Sequence, residues 1–172
     1  MRKKNGFTLI ELLVVLAVIA ALIATMTPLA LNAIRRSQAS KVAQNIKILA
    51  NMLEVAAYVN GTADVGGPIR GPEGDNIKLR HLGRDIPSTY ALVYENEDGY
   101  INAIIATRDR VNLEELQKLI PAARTGAWGL EVQSKIARDR NEEEYFRDIP
   151  DEFKESNGAD QVIYYEFSFK VY

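Results

Sequence analysis

The chain has 172 residues, 21 Lys and Arg against 23 Asp and Glu, one histidine and no cysteine. That length holds one ordinary domain plus an appendage, and a net charge of −2 gives no global pull toward nucleic acid. The missing thiols exclude disulfide scaffolds, thiolate metal sites and cysteine nucleophiles, and the single His81 leaves little for a His-based catalytic or metal site.

Arg2, Lys3 and Lys4 precede Gly6, and from Phe7 to Ile34 only Glu11 carries a charge. Residues 12–24, LLVVLAVIAALIA, have no polar side chain, and with its flanks this run exceeds the ~20 residues that a membrane helix needs. A secretory signal peptide would end in a small-residue cleavage site after the apolar stretch. Here helical sequence continues through Asn32-Ala33-Ile34-Arg35-Arg36. The basic cluster stays on the cytoplasmic side and places the C-terminal bulk outside. A plain single-span anchor accounts for all of this except Gly6 and Glu11.

An acid at mid-membrane depth costs about 2.5–3.5 kcal/mol on insertion scales, and less near the interface. If the chain is cut after Gly6, Phe7 becomes an N-terminus and Glu11 lies one turn into the helix, close to a cationic amine. Two effects offset the cost. The positive helix end contributes about 0.3–1 kcal/mol, and an amine at ~4 Å about 4 kcal/mol at an effective dielectric of 20. In a packed set of such helices the amine can come from a neighbour, so the glutamate makes one axial stagger cheaper than the others.

The run Gly6-Phe7-Thr8-Leu9-Ile10-Glu11, with the apolar stretch behind it, resembles the class III signal of type IV pilins and related pilin-like proteins. The resemblance implies that a prepilin peptidase cuts between Gly6 and Phe7 and that the Phe7 amine is then methylated. It makes Glu11 the assembly carboxylate and Pro28 the helix-interrupting proline of many major pilins. Ala20 stands where some major pilins have glycine, and the cysteine pair found in the C-terminal region of some pilins is absent. The implied protein is a structural subunit, not an enzyme, and needs no cofactor. It waits in the inner membrane with its domain outside. An assembly ATPase and a membrane platform then draw it into an extracellular helical homopolymer, a type IV pilus. A minor pilin or a type II secretion pseudopilin would share the motif; the latter usually has a smaller domain that often binds calcium. A membrane-anchored enzyme is the rival from another class, and the shortage of catalytic groups argues against it.

Helical character continues beyond the apolar segment. Val42, Ile46, Leu49, Leu53 and Ala57 share one face, Ile48, Met52, Val55 and Val59 form a second apolar stripe, and Gln44, Lys47, Asn51, Glu54 and Tyr58 a polar one. One apolar stripe is expected on the chain's own sheet and the other against neighbouring stems; a single broad core contact would serve both equally well. A continuous helix from Phe7 to Val59 would run about 80 Å at 1.5 Å per residue. Pro28 cannot bond the Ala24 carbonyl and its ring crowds that turn, which predicts a kink in the lone subunit or an unwound segment in a filament. Thr25 and Thr27 can back-bond to free carbonyls there.

Asn60-Gly61 reads as the helix C-cap, and the overlapping glycosylation sequon Asn60-Gly61-Thr62 as the lesser signal. A glycine- and proline-rich loop follows over residues 61–76, without the Gly-Lys-Ser/Thr ending of a phosphate cradle. Residues 76–82 alternate and could form a strand. Residues 90–95 and 100–107 are β-type runs around Asn96-Glu97-Asp98-Gly99, a hairpin signal. Asn112 caps a helix over 113–120, stopped by Pro121. Residues 130–146 read as helical, with Gly126 and Gly129 around Trp128 loosening the start, so the inserted helices occupy about 113–146. Residues 161–172, QVIYYEFSFKVY, form a closing strand whose buried face is Ile163, Tyr165, Phe167, Phe169 and Val171.

The order of elements gives an α+β fold: a leader at residues 1–6, an apolar half-helix at 7–34, an amphipathic half at 35–60, and a globular antiparallel-sheet domain at 61–172. His81, in a basic patch with Arg80 and Arg84, reads as solvated. Residues 138–155 hold eight acids and four bases but lack the spaced Asp-x-Asp-x-Asp-Gly loop of a calcium site. Trp128 reads as a core aromatic. Arg70, Lys78, Arg80 and Arg84 could meet nucleic acid, and an ordinary solvated surface is the simpler account.

Overall fold

The computed structural model describes residues 7–64, 66–128, 132, 145–150, 153 and 161–171. One helix, α1 (Leu9–Asn60), dominates it. Its 52 residues make a rod of about 78 Å. Thr8 caps its start, and Gly61 ends it with φ 69° and ψ −172°, a backbone region essentially restricted to glycine. The Gly61 amide still donates to the Ala57 carbonyl, while the Asn60 side chain reaches across to the Arg70 carbonyl at 2.8 Å. The expected cap is therefore in place, with the Asn60 amide group engaged in holding the loop.

Pro28 lies inside α1 without ending it. The Thr25 hydroxyl donates to the Leu22 carbonyl (2.9 Å) and the Thr27 hydroxyl to the Ile23 carbonyl (2.8 Å). Both back-bonds fall just short of Ala24, whose carbonyl the proline leaves unserved.

The sheet has five antiparallel strands, β1 (Tyr90–Glu97), β2 (Tyr100–Thr107), β3 (Arg124–Ala127), β4 (Tyr145–Asp148) and β5 (Gln161–Lys170), in the order β3-β5-β2-β1-β4. Its central pairs run in continuous register from Tyr90↔Thr107 to Glu97↔Tyr100, and from Tyr100↔Lys170 to Thr107↔Ile163. The hairpin closes on two residues. Asp98 and Gly99 both have positive φ, the turn that matches strand twist, and the Asn96 carboxamide accepts from the Gly99 amide.

The strand expected over 76–82 is not there. Asn76 makes an isolated bridge to Arg70, and the chain then coils into α2 (Leu79–Leu82), burying Leu79 and Leu82. Leucines three apart suit a helical turn as well as an alternating strand, and the Asp148 carboxylate, accepting from the Leu79 amide at 2.6 Å, fixes the helical choice. Helix α3 is shorter than expected, Leu113–Gln117, capped by the Asn112 side chain; the Leu119 and Ile120 amides continue the turn onto the Leu116 carbonyl. Most of the helix expected over 130–146 lies outside the described residues, but its end is corrected: Tyr145 and Phe146 belong to β4.

Two cores flank the sheet. In the first, one face of α1 (Val42, Ile46, Leu49, Leu53, Ala57) meets Tyr90, Leu92, Tyr94, Ile101, Ile105 and Ile163. Each large aliphatic buried there contributes about 1.5–3 kcal/mol. Tyr165, Phe167, Phe169 and Val171 extend it as half-buried side chains, which confirms that face of the closing strand. The other face is not simply solvated. Val162 and Tyr164 are buried in a second core with Val93, Ile104, Trp128, Val132 and Phe153. Alternation in β5 is lost at this end because both faces are covered, whereas Glu166, Ser168 and Lys170 beyond it are exposed.

Candidate processing and assembly site

Gly6 lies outside the described residues, so the site is visible from Phe7 onward. Phe7 is 82% exposed. Thr8 has extended backbone angles and Leu9 begins the helix. The first amides of a helix lack partners within it. Here Thr8 and Glu11 supply them reciprocally: the Glu11 amide donates to Thr8 Oγ1 at 3.3 Å, and Glu11 Oε2 accepts from the Thr8 amide at 2.8 Å and the Thr8 hydroxyl at 2.7 Å. This is a capping box, and it places the carboxylate at the positive end of the helix. Sequence reasoning offset the Glu11 charge with the positive helix end and an amine, and overlooked this neutral partner. The Thr-x-x-Glu spacing ahead of an apolar run carried the signal.

Beyond the cap, every residue from 7 to 38 is exposed, including Leu12, Leu16, Ile19, Leu22, Ile23 and Leu29. Burial begins at Ala39 and is confined to one face. The second stripe stays open, with Ile48, Met52, Val55 and Val59 all exposed. At the boundary, Arg36 pairs with Glu115 of α3 at 3.7 Å, and Lys118 holds the same carboxylate at 2.6 Å. The hydrogen bond from Lys118, more than the nearby charge of Arg36, keeps the Glu115 carboxyl below its usual range.

The remaining sequence candidates sit elsewhere. His81 lies on α2, half-buried, where Nδ1 accepts from the Lys78 amide at 3.2 Å, so it caps a turn instead of standing solvated on a strand. Lys78 and Arg80 both lean on Asp75, at 3.7 and 3.4 Å, and Arg70 donates to the Ala63 carbonyl, which neutralises or occupies much of the basic set. Trp128 is 2% exposed and meets Phe153 edge-on, at 4.9 Å between ring centres. Among the described residues no group of three or more His, Asp or Glu is placed to hold a metal ion; most of residues 138–155 lies outside them.

Neither a curated protein nor a solved structure matches the chain. One family model does, described as the Prokaryotic N-terminal methylation motif, over residues 1–27. It spans the basic start, Gly6, Phe7, the capping box and most of the apolar run. The chain therefore carries at residues 1–27 the N-terminal methylation motif, the class III signal peptide of type IV pilin-like proteins.

Proposed function

We propose that the chain is cut between Gly6 and Phe7 by a prepilin peptidase, methylated on the new Phe7 amine, and polymerised through α1 as the structural subunit of a type IV pilus. One observation supports this most: a single helix is packed on its own domain through one half and wholly exposed through the other. Lipid covers that exposed half before assembly. In a fibre outside the membrane only neighbouring helices can cover it, and each Å² removed from water contributes about 25 cal/mol. Glu11 sets the stagger. Once the leader is gone, the Phe7 amine of the same helix competes with Thr8 for its carboxylate in the lone subunit, and in the fibre only a neighbour's amine rewards a particular axial offset. Pro28 is the position where lateral packing can replace lost backbone bonds. The assembly ATPase and membrane platform are the partners this cycle requires.

Mass spectrometry of subunits from sheared native fibres tests the processing. The expected N-terminal peptide begins at Phe7 and carries one added methyl group. Mature fibres built from chains that retain Met1 would overturn the reading, and abundance in those fibres separates a major subunit from a minor one.

A further inference from the structure

Arg35 and Arg36 follow the apolar run directly, on the side that the positive-inside rule leaves poor in cations. They oppose the orientation set by Arg2, Lys3 and Lys4, so topology does not explain them. Arg36 is accounted for by Glu115. Arg35 lines a cleft of about 460 Å³ with Gln38, Arg108, Asp109, Arg110 and Thr125. That volume falls within the ~300–1,000 Å³ of small-ligand sites.

The cleft lies at one end of the sheet. Thr107 closes β2, Gln161 opens β5, and both line it. The opposite end of the sheet is tied to the far end of the stem, where the Tyr58 hydroxyl donates to the Lys170 carbonyl at 2.6 Å. The cleft therefore faces the apolar half of α1. Residues 9–34 rise about 39 Å as a helix, close to the ~40–45 Å of a bilayer with its headgroups, so Arg35 emerges at the outer headgroup level. Arg108 is braced over the Phe153 ring at 5.9 Å, and Arg35 and Arg110 are exposed. Asp109, the one acid among the lining residues, lies beside the buried Tyr90 hydroxyl. Arg35, Arg108 and Arg110 all line this opening, and arginine side chains suit a phosphate, which they grip through paired hydrogen bonds.

We infer that this cleft binds the phosphate of an anionic lipid headgroup in the outer leaflet, docking the domain on the membrane before the subunit is drawn into a fibre. The inference rests on the membrane-anchored precursor proposed above. Docking of this kind orients the domain relative to its stem and is released as the subunit leaves the bilayer.

Hydrogen exchange on the full chain in vesicles tests it. Phosphatidylcholine vesicles are compared with the same vesicles containing phosphatidylglycerol. The expected result is several-fold slower exchange at the Arg110, Val111 and Asn112 amides with phosphatidylglycerol, abolished by the paired substitution Arg35→Gln and Arg110→Gln and by high salt. Equal exchange in both vesicles overturns the inference. So does equal slowing by inorganic phosphate over phosphatidylcholine, which would make the cleft a site for free phosphate. Slowing that follows protein density in phosphatidylcholine alone would assign the cleft to a second copy of the chain and overturn it as well. The amides of residues 12–24 report separately on the anchor: their protection in every vesicle leaves the membrane reading standing whatever the cleft does, and their free exchange removes it.

Discussion

Glu11 is the one ionisable side chain in the apolar half of the stem, and its surroundings explain how it is tolerated there. Thr8 gives it two hydrogen bonds and the helix end adds a favourable field. Replacing it with alanine should leave membrane insertion intact or improved, since a charge is removed from the bilayer. Fibre yield should fall on the order of tenfold or more, the change that ~1.4 kcal/mol produces in an equilibrium. Membrane fractionation and sheared-fibre yield measure the two effects, and normal fibres from Glu11→Ala would remove its assigned role. Two tyrosines give tests of the domain. Burial, countered only in part by the Asn45 amide, pushes Tyr90 up to about 12. An acid whose folded pKa is raised stabilises the fold fully below its unfolded value and loses that contribution as pH climbs to the folded one. Denaturant midpoints should therefore decline from about pH 10 upward, where unfolded tyrosines ionise; a flat profile from pH 9 to 12 would contradict this. Tyr94 is also raised by burial, and its hydroxyl accepts from the Ile69 amide at 3.0 Å. Tyr94→Phe leaves that buried N–H without its partner and should lower stability by about 1–3 kcal/mol in denaturant unfolding.

At the scale of elements, the two apolar stripes of α1 should answer differently to the same kind of change. Leu49 is fully buried against the sheet, so Leu49→Ala should destabilise the domain by about 2–5 kcal/mol. Val55 is 48% exposed, and Val55→Ser should leave unfolding within about 0.5 kcal/mol while lowering fibre yield if the stripe meets neighbouring stems. Equal loss of domain stability from both would return the helix to one broad core contact. The periodicity of residues 42–59 marks two apolar stripes before any coordinates, and the structure buries the one that runs through Val42, Ile46, Leu49, Leu53 and Ala57. The Asp98-Gly99 hairpin and the Asn112 cap were legible because local chemistry decides them. Leu79 to Leu82 was not, since its short apolar pattern fits a strand or a helical turn, and a carboxylate from residue 148 settles the matter. Tyr145 and Phe146 join the sheet only through pairing with β1, a long-range contact with no local signature. The second core escaped notice likewise, because alternation in β5 points to one buried face until something packs on the other.

The whole molecule divides at about Ala39, with a finished domain on one side and an unfinished surface on the other. The first 27 residues were the most legible part of the chain, and the methylation-motif match falls on them. Thr8 is the part of the site that was readable and went unread. The central claim is that the Glu11 carboxylate, released from a leader-bearing chain, aligns subunits by pairing with a cationic Phe7 amine. The most direct measurement is a structure of the native fibre at side-chain resolution, read for the distance from each Glu11 carboxylate to the nearest Phe7 nitrogen. The account predicts hydrogen-bond distance to an amine on an adjacent helix throughout the core. Helices packed in a regular fibre with Glu11 satisfied by Thr8 alone, and every Phe7 amine remote from it, would contradict it.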